Sequence, residues 1–278
     1  MNQTNIPDPL LPATCAVLGS PLAATNYQGA AALALGWAGR RDRAYAIAAA
    51  NTHVVTLARH ETGFREALGR FDLLLPDGMP LIWCMNRFGG AGLKDRVYGP
   101  TFMLRVLESG GEKVSHFLLG GSEELLEVLQ KSLKEKFPGI RIGGVYSPPF
   151  GTWPEGEDDR IIARIADSGA NLVWVGLGCP KQELWIARNK AKLPPAVYSA
   201  VGAAFAFHAG RVSQAPKWVQ DRGLEWLYRL VAEPRRLWRR YLVYNTLFVG
   251  YLVKDFLAGK VQLADVDRAR DFSTKRKD

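Results

Sequence analysis

Asn51 and Asp77 each stand directly behind an apolar stretch that reads as a strand: Tyr45–Ala50 before the amide, Phe71–Leu75 before the Pro76-Asp77-Gly78 break. In a parallel α/β sheet both would lie just past the carboxyl ends of strands, where ligand clefts form. A neutral amide and a carboxylate meeting at such an edge can position a substrate hydroxyl and take its proton. Asp77 has a plainer role open to it, as the N-cap of a helix over Gly78–Met85, worth about 1 kcal/mol. Both roles use the same strand-to-helix turn, so neither excludes the other. Thr52 and Gly78, beside these two residues, join them as candidate substrate contacts.

Two glycine turns offer a place for phosphate. Leu118-Leu119-Gly120-Gly121-Ser122 ends a strand and opens a helix, and Val175-Gly176-Leu177-Gly178-Cys179-Pro180-Lys181-Gln182-Glu183 repeats the design. Glycines there let backbone N–H groups approach a diphosphate, and a helix N-terminus favours its charge. Many α/β turns carry two glycines, so the first turn alone says little. In the second, Pro180 suits a first helical turn, while Lys181 and Gln182 add donors. Glu183 either binds sugar hydroxyls or favours the helix start electrostatically. Gly99-Pro100-Thr101 opens another helix at a strand end and is a further candidate for the same cleft. Cys179 reads as a small filler in a tight turn, since no Cys–His–Asx pattern surrounds it. His53, His60, His116 and His208 show no metal-ligand spacing, and neither a metal nor a cofactor is expected.

The elements that must hold these residues alternate. Strands are expected at Tyr45–Ala50, Phe71–Leu75, Ser115–Leu119, Arg141–Tyr146, Asn171–Val175 and Val197–Val201. Helices are expected at about Val54–Gly69, Pro100–Glu108, Glu123–Phe137, Glu157–Ser168 and Lys181–Lys192. This spacing predicts an α/β fold, a mostly parallel Rossmann-like sheet with helices on both faces, over residues 13–215. Residues 1–12 read as a flexible N-terminus, 216–260 as a basic, aromatic, helical appendage broken or kinked at Pro234, and 261–278 as a charge-mixed mobile tail.

At 278 residues, with 47% hydrophobic and 23% charged residues, the chain can bury a full core. The three cysteines, Cys15, Cys84 and Cys179, are odd in number and far apart, which fits a reduced compartment. The first Lys or Arg is Arg40, so a secretory signal is not expected. The uncharged stretch Tyr241–Val253 has 13 residues, short of the roughly 20 that a spanning helix needs. Between Arg211 and Lys260, ten cations face four acids, placing +6 of the net +9 there. That asymmetry points to an anionic partner: a nucleic acid, a lipid surface or a phosphorylated substrate. Arginines interleaved with Trp and Tyr over Gly223–Leu242 suit a membrane interface, a nucleic-acid backbone, or docking onto the chain's own body. The apolar run from Leu242 to Val253 favours membrane or docking.

Taken in order, Asn51, the PDG of 76–78, FLLGG at 117–121, VGLGCPKQE at 175–183, GAAFAFHAG at 202–210, AP at 215–216 and GLEWLYRL with EPRR at 223–236 resemble the WecG/TagA/CpsF family of bacterial glycosyltransferases. The resemblance spans about Val17 to Leu242. It implies a cytoplasmic enzyme held peripherally on the cytoplasmic face of the inner membrane. Such an enzyme moves a sugar from a UDP-sugar to a polyprenyl-diphosphate-linked saccharide, with inversion and without a required metal. The family's catalytic base falls on Asp77 and its substrate-contacting asparagine on Asn51. Its C-terminal arginines, which meet acceptor or donor phosphates, fall on Arg229, Arg236 and Arg239.

Four positions depart from the family pattern. Ala49 stands where a threonine is common, Thr101 and Ala206 where aspartates are common, and Gln214 where an arginine is common. Loss of two acids and a hydroxyl near the cleft argues that sugar recognition is altered, so the donor cannot be carried over from N-acetylmannosamine-using members. A rival reading is a basic nucleic-acid-binding protein on an α/β scaffold, which explains the charge but leaves PDG and GLGCPKQE without a purpose. A nucleotide-sugar epimerase or dehydrogenase lacks its G-x-G-x-x-G after the first strand. The oligomeric state, and whether the appendage closes over its own cleft or a neighbour's, stay open at this level.

Overall fold

The computed structural model describes residues 11–261. A hairpin, β1 (Thr14–Val17) and β2 (Ser20–Ala23), and helix α1 (Tyr27–Arg40) come first. The chain then alternates through β3 (Tyr45–Ala50), α2 (Thr52–His60), α3 (Thr62–Leu68), β4 (Leu73–Pro76), α4 (Met79–Gly89) and α5 (Gly99–Gly110). It continues through β5 (Ser115–Leu119), α6 (Glu123–Lys136), β6 (Arg141–Tyr146), α7 (Glu157–Ser168), β7 (Leu172–Val175), α8 (Lys181–Asn189), β8 (Val197–Ala200) and α9 (Ala204–His208). Helices α10 (Lys217–Asp221), α11 (Glu225–Ala232) and α12 (Pro234–Trp238) follow, and a π-turn at Arg239–Val243 leads into α13 (Tyr244–Leu257).

Strands β3 to β8 form one parallel sheet in the order β4-β3-β8-β7-β5-β6. The strand runs are apolar without a break because both faces are covered. In β3, Ala46, Ala48 and Ala50 face the layer of α2, α3, α7 and α8, while Tyr45 and Ile47 face that of α1, α5, α6 and α9. Trp174 and Trp185 anchor opposite layers and are 0% and 1% exposed; a large side chain buried this fully contributes about 1.5–3 kcal/mol. The fold is Rossmann-like α/β with a C-terminal helical segment, as the strand pattern predicts.

One expectation fails. The single helix expected over Val54–Gly69 is two, α2 and α3, parted at Glu61, whose backbone is extended (φ −114°, ψ 115°). Glu61 N–H still bonds Leu57 O at 2.7 Å and its own carbonyl receives Arg65 N–H at 3.0 Å. The bend therefore costs little hydrogen bonding and turns Phe64 and Leu68 into the core. Gly63, a poor helix former, weakens the continuous alternative. At Pro234 the expected break is present: α11 stops at Ala232 and α12 starts at the proline.

The turn after β5 leads to a helix on one face and the turn after β7 to a helix on the other, so a crevice opens between these neighbouring strands. Gly120 lies there at φ +112°, and a Cβ on it would come within 2.7 Å of the Gly176 carbonyl carbon. Only glycine combines that backbone conformation with so close an approach. Gly120→Ala should therefore cost about 2 kcal/mol or more, read as a lowered urea midpoint at unchanged slope. A midpoint equal to that of the parent protein refutes this account of the turn.

Candidate active site

At the carboxyl edge of the sheet, α11 and α13 arch back over the strand ends and close a cavity of about 870 Å³. Body and appendage of one chain line it together. Asn51, Thr52, Asp77, Gly78, Gly176, Gly178, Gln182 and Glu183 come from the body, and Arg229 comes from the appendage.

Asp77 lies behind β4, half-buried at the cavity wall. Its N–H extends the β3–β4 pairing onto Ala50 O at 2.8 Å. The helix that follows is capped by Gly78 rather than by Asp77. Instead the Asp77 carboxylate reaches sideways and accepts Gly99 N–H, at the start of α5, at 3.2 Å. The approach at Gly99 is close: a Cβ there would sit 3.1 Å from that of Ala49 and 3.4 Å from the Asp77 carboxylate. The N-terminus of α5 thus places positive potential beside the carboxylate.

Arg96, unmarked in the sequence, adds a full charge. It is 8% exposed, bonds the Glu225 carboxylate of α11 and Gln220 at 3.2 Å, and stacks over Tyr98 at 4.4 Å. Burial alone would lower its proton affinity, but Asp77 and Glu225 outweigh that and hold the guanidinium above its usual range. Tyr98 is buried beside the same carboxylates, and desolvation, then Glu225 and Asp77, push its phenol far above the usual range. It stays neutral. The signal that could have found Arg96 is an arginine directly ahead of the Gly99-Pro100 helix start.

Asn51 caps α2, its Oδ1 accepting Val54 N–H at 3.2 Å, which leaves its NH2 group for the cavity. The Thr52 hydroxyl spends its proton on Asn245 of α13, donating at 3.2 Å. Gln182 is also engaged. Its carbonyl oxygen accepts Gly178 N–H at 3.2 Å and Gly202 N–H at 3.1 Å, and its NH2 group bonds buried Glu183 at 2.8 Å. Gln182 therefore ties the β7 turn to the β8 turn.

The glycine turns differ from expectation as phosphate donors. Gly120 N–H is taken by Tyr146 O at 2.9 Å, Gly176 N–H by Leu119 O at 2.8 Å, and Gly178 N–H by Gln182. Gly120 and Gly121 are not on the cavity wall. Lys181 turns away from it, donating to Gly151 O at 3.2 Å and lying 4.2 Å over Trp153. Thr101, one turn into α5, is also off the wall.

Of the described side chains in the predicted set, Arg229 is the one that reaches the cavity. It lies 5.3 Å over Phe207 and 3.9 Å from Glu233, and its buried Nε has no protein acceptor among the described residues. Arg239 is exposed and off the cavity wall; the side chain of Arg236 lies outside what is described. Among the described residues no three His, Cys, Asp or Glu side chains gather as a metal site.

Outside the cavity the appendage exposes Trp218, Leu227, Trp238, Leu242, Val253 and Phe256 among exposed Arg222, Arg235, Arg239 and Lys254. No described helix is long and apolar enough to cross a membrane. A family model described as the glycosyl transferase WecG/TagA/CpsF family matches residues 15–262.

Proposed function

The chain belongs to the WecG/TagA/CpsF family of glycosyl transferases, and from that premise we propose that it moves a sugar from a UDP-sugar to a polyprenyl-diphosphate-linked saccharide. The observation that carries this reading is Asp77, a carboxylate opening into a cavity that also holds an amide, Asn51, and a guanidinium, Arg229. Asp77 takes the proton of an acceptor hydroxyl as that oxygen attacks the anomeric carbon. UDP departs from the opposite face, and a single displacement inverts the centre. Charge develops on the leaving diphosphate. With the Gly120, Gly176 and Gly178 N–H groups already bonded, Arg229 and the first turn of α8 are the groups best suited to receive it. Asn51 orients a sugar hydroxyl through its NH2 group.

The decisive experiment incubates the protein with a synthetic polyprenyl-diphosphate sugar and a panel of UDP-sugars, with mass detection of product. A product heavier by one sugar residue is expected with one donor; none with any donor rejects the reading. Ala49 and Ala206 line the cavity, so a donor recognised through fewer polar contacts at those points is expected.

The exposed basic and aromatic face suits an anionic bilayer, each surface-close cation contributing about 1 kcal/mol. The variant Arg222→Gln/Arg235→Gln/Lys254→Gln should lose about 3 kcal/mol, roughly a hundredfold in partitioning onto phosphatidylglycerol vesicles. Sedimentation equal to that of the parent protein would overturn peripheral membrane binding.

A further inference from the structure

The cavity has two chemically unlike halves. At one end stand the β7 and β8 turns with buried Gln182 and Glu183. At the other, Tyr241 of the π-turn and Asn245, Phe248, Val249 and Leu252 of α13 form a stripe at helical spacing on the cavity wall. Asn245 is the one amide in this stripe. A carboxamide among apolar side chains costs desolvation unless both its ends are bonded. Its Oδ1 is bonded, accepting the Thr52 hydroxyl at 3.2 Å. That contact fixes the amide plane and leaves the NH2 group for whatever fills the cavity, whose wall also carries Asn51.

We infer that Asn245 is a binding residue for the acceptor, donating its NH2 group to an oxygen of the lipid-linked saccharide, with Thr52 as its positioning residue. This rests on the glycosyltransferase reading above. Three observations set it on the acceptor side. Asn245 meets the sheet edge at β3, which is two strands from the β7 turn in the order β3-β8-β7, about 10 Å away. The rest of its stripe is apolar and aromatic, matched by Trp83, Cys84 and Phe88 of α4 on the cavity wall; a UDP-sugar is polar throughout, whereas a prenyl diphosphate saccharide has an alkyl part to lay there. Asn245 is also carried by the helix whose outer residues Val253 and Phe256 are exposed, so the same element leads from the cavity toward a lipid surface.

The test uses the full chain and two calorimetric titrations, one with UDP and one with geranyl diphosphate bearing a single N-acetylhexosamine. Asn245→Asp keeps an acceptor for the Thr52 hydroxyl but replaces the NH2 donors with a carboxylate. It should weaken the geranyl probe at least tenfold and leave the UDP affinity unchanged. Asn245→Ala should do the same, and Thr52→Val should weaken the probe by a smaller factor. Equal loss of UDP and probe overturns the assignment in favour of a residue that merely holds α13 in place. Unchanged probe binding in both Asn245 variants overturns it outright. Failure of the parent protein to bind the probe overturns the lipid-linked acceptor reading, and this inference with it.

Discussion

Asp77→Asn should bind UDP as the parent protein does and transfer sugar at least about 10³-fold more slowly, the upper part of the range for loss of a general base. The substitution is close to isosteric. The asparagine carbonyl can still accept Gly99 N–H, the bond made by the present carboxylate at 3.2 Å, so the start of α5 keeps its place. What disappears is proton affinity: an amide cannot take the hydrogen of an attacking hydroxyl. Nor does it neutralise Arg96, but that guanidinium retains Glu225. Single-turnover rates with the cognate donor, alongside calorimetric UDP binding, separate the two effects. A rate within tenfold of the parent's removes Asp77 from the reaction.

Glu225→Leu should destabilise the protein by about 3–5 kcal/mol, because it strands a buried charge. The pair it breaks is desolvated, with side chains 9% and 10% exposed for Arg96 and Glu225. Taking two charges out of water is costly, so the native pair itself adds little net stability. The asymmetry makes a clean test. The double variant Arg96→Met/Glu225→Leu should recover most of what the single variant loses, when both are followed by chemical denaturation. Additive losses would show that the two side chains act independently. The single variant should also lose activity, since Glu225 opens α11, which carries Arg229 one turn later.

The sheet was legible from sequence because parallel strands covered on both faces must be apolar throughout, and short runs such as Leu172–Val175 admit little else. The first hairpin and α1 were not. Their signal is an alanine- and glycine-rich stretch: α1 fits its small residues against α5 and β8, and the hairpin packs on β4 and α4, a property of the partners and not of local periodicity. The placement of Asn51 and Asp77 behind strands was legible for the same reason as the strands they follow. The roles of Thr52, Gln182 and Gly178 were not, because each spends its polar groups on a residue distant in the chain, Thr52 on Asn245 among them. Arg96 escaped because its place just ahead of the Gly99-Pro100 helix start is a weak local signal; what buries it is Glu225, 129 positions later.

The seam between body and α13 is narrow in polar terms: Thr52 with Asn245, Arg59 with Asp255 at 2.9 Å, and His60 with Tyr251 at 2.8 Å. One wall of the cavity is thus written between Gly223 and Leu252 and the other in strand-end turns far upstream. Drift in either wall need not disturb the other, provided these three pairings survive. A lineage could exchange the molecule it builds upon while keeping the sugar it adds, by rewriting a single helix.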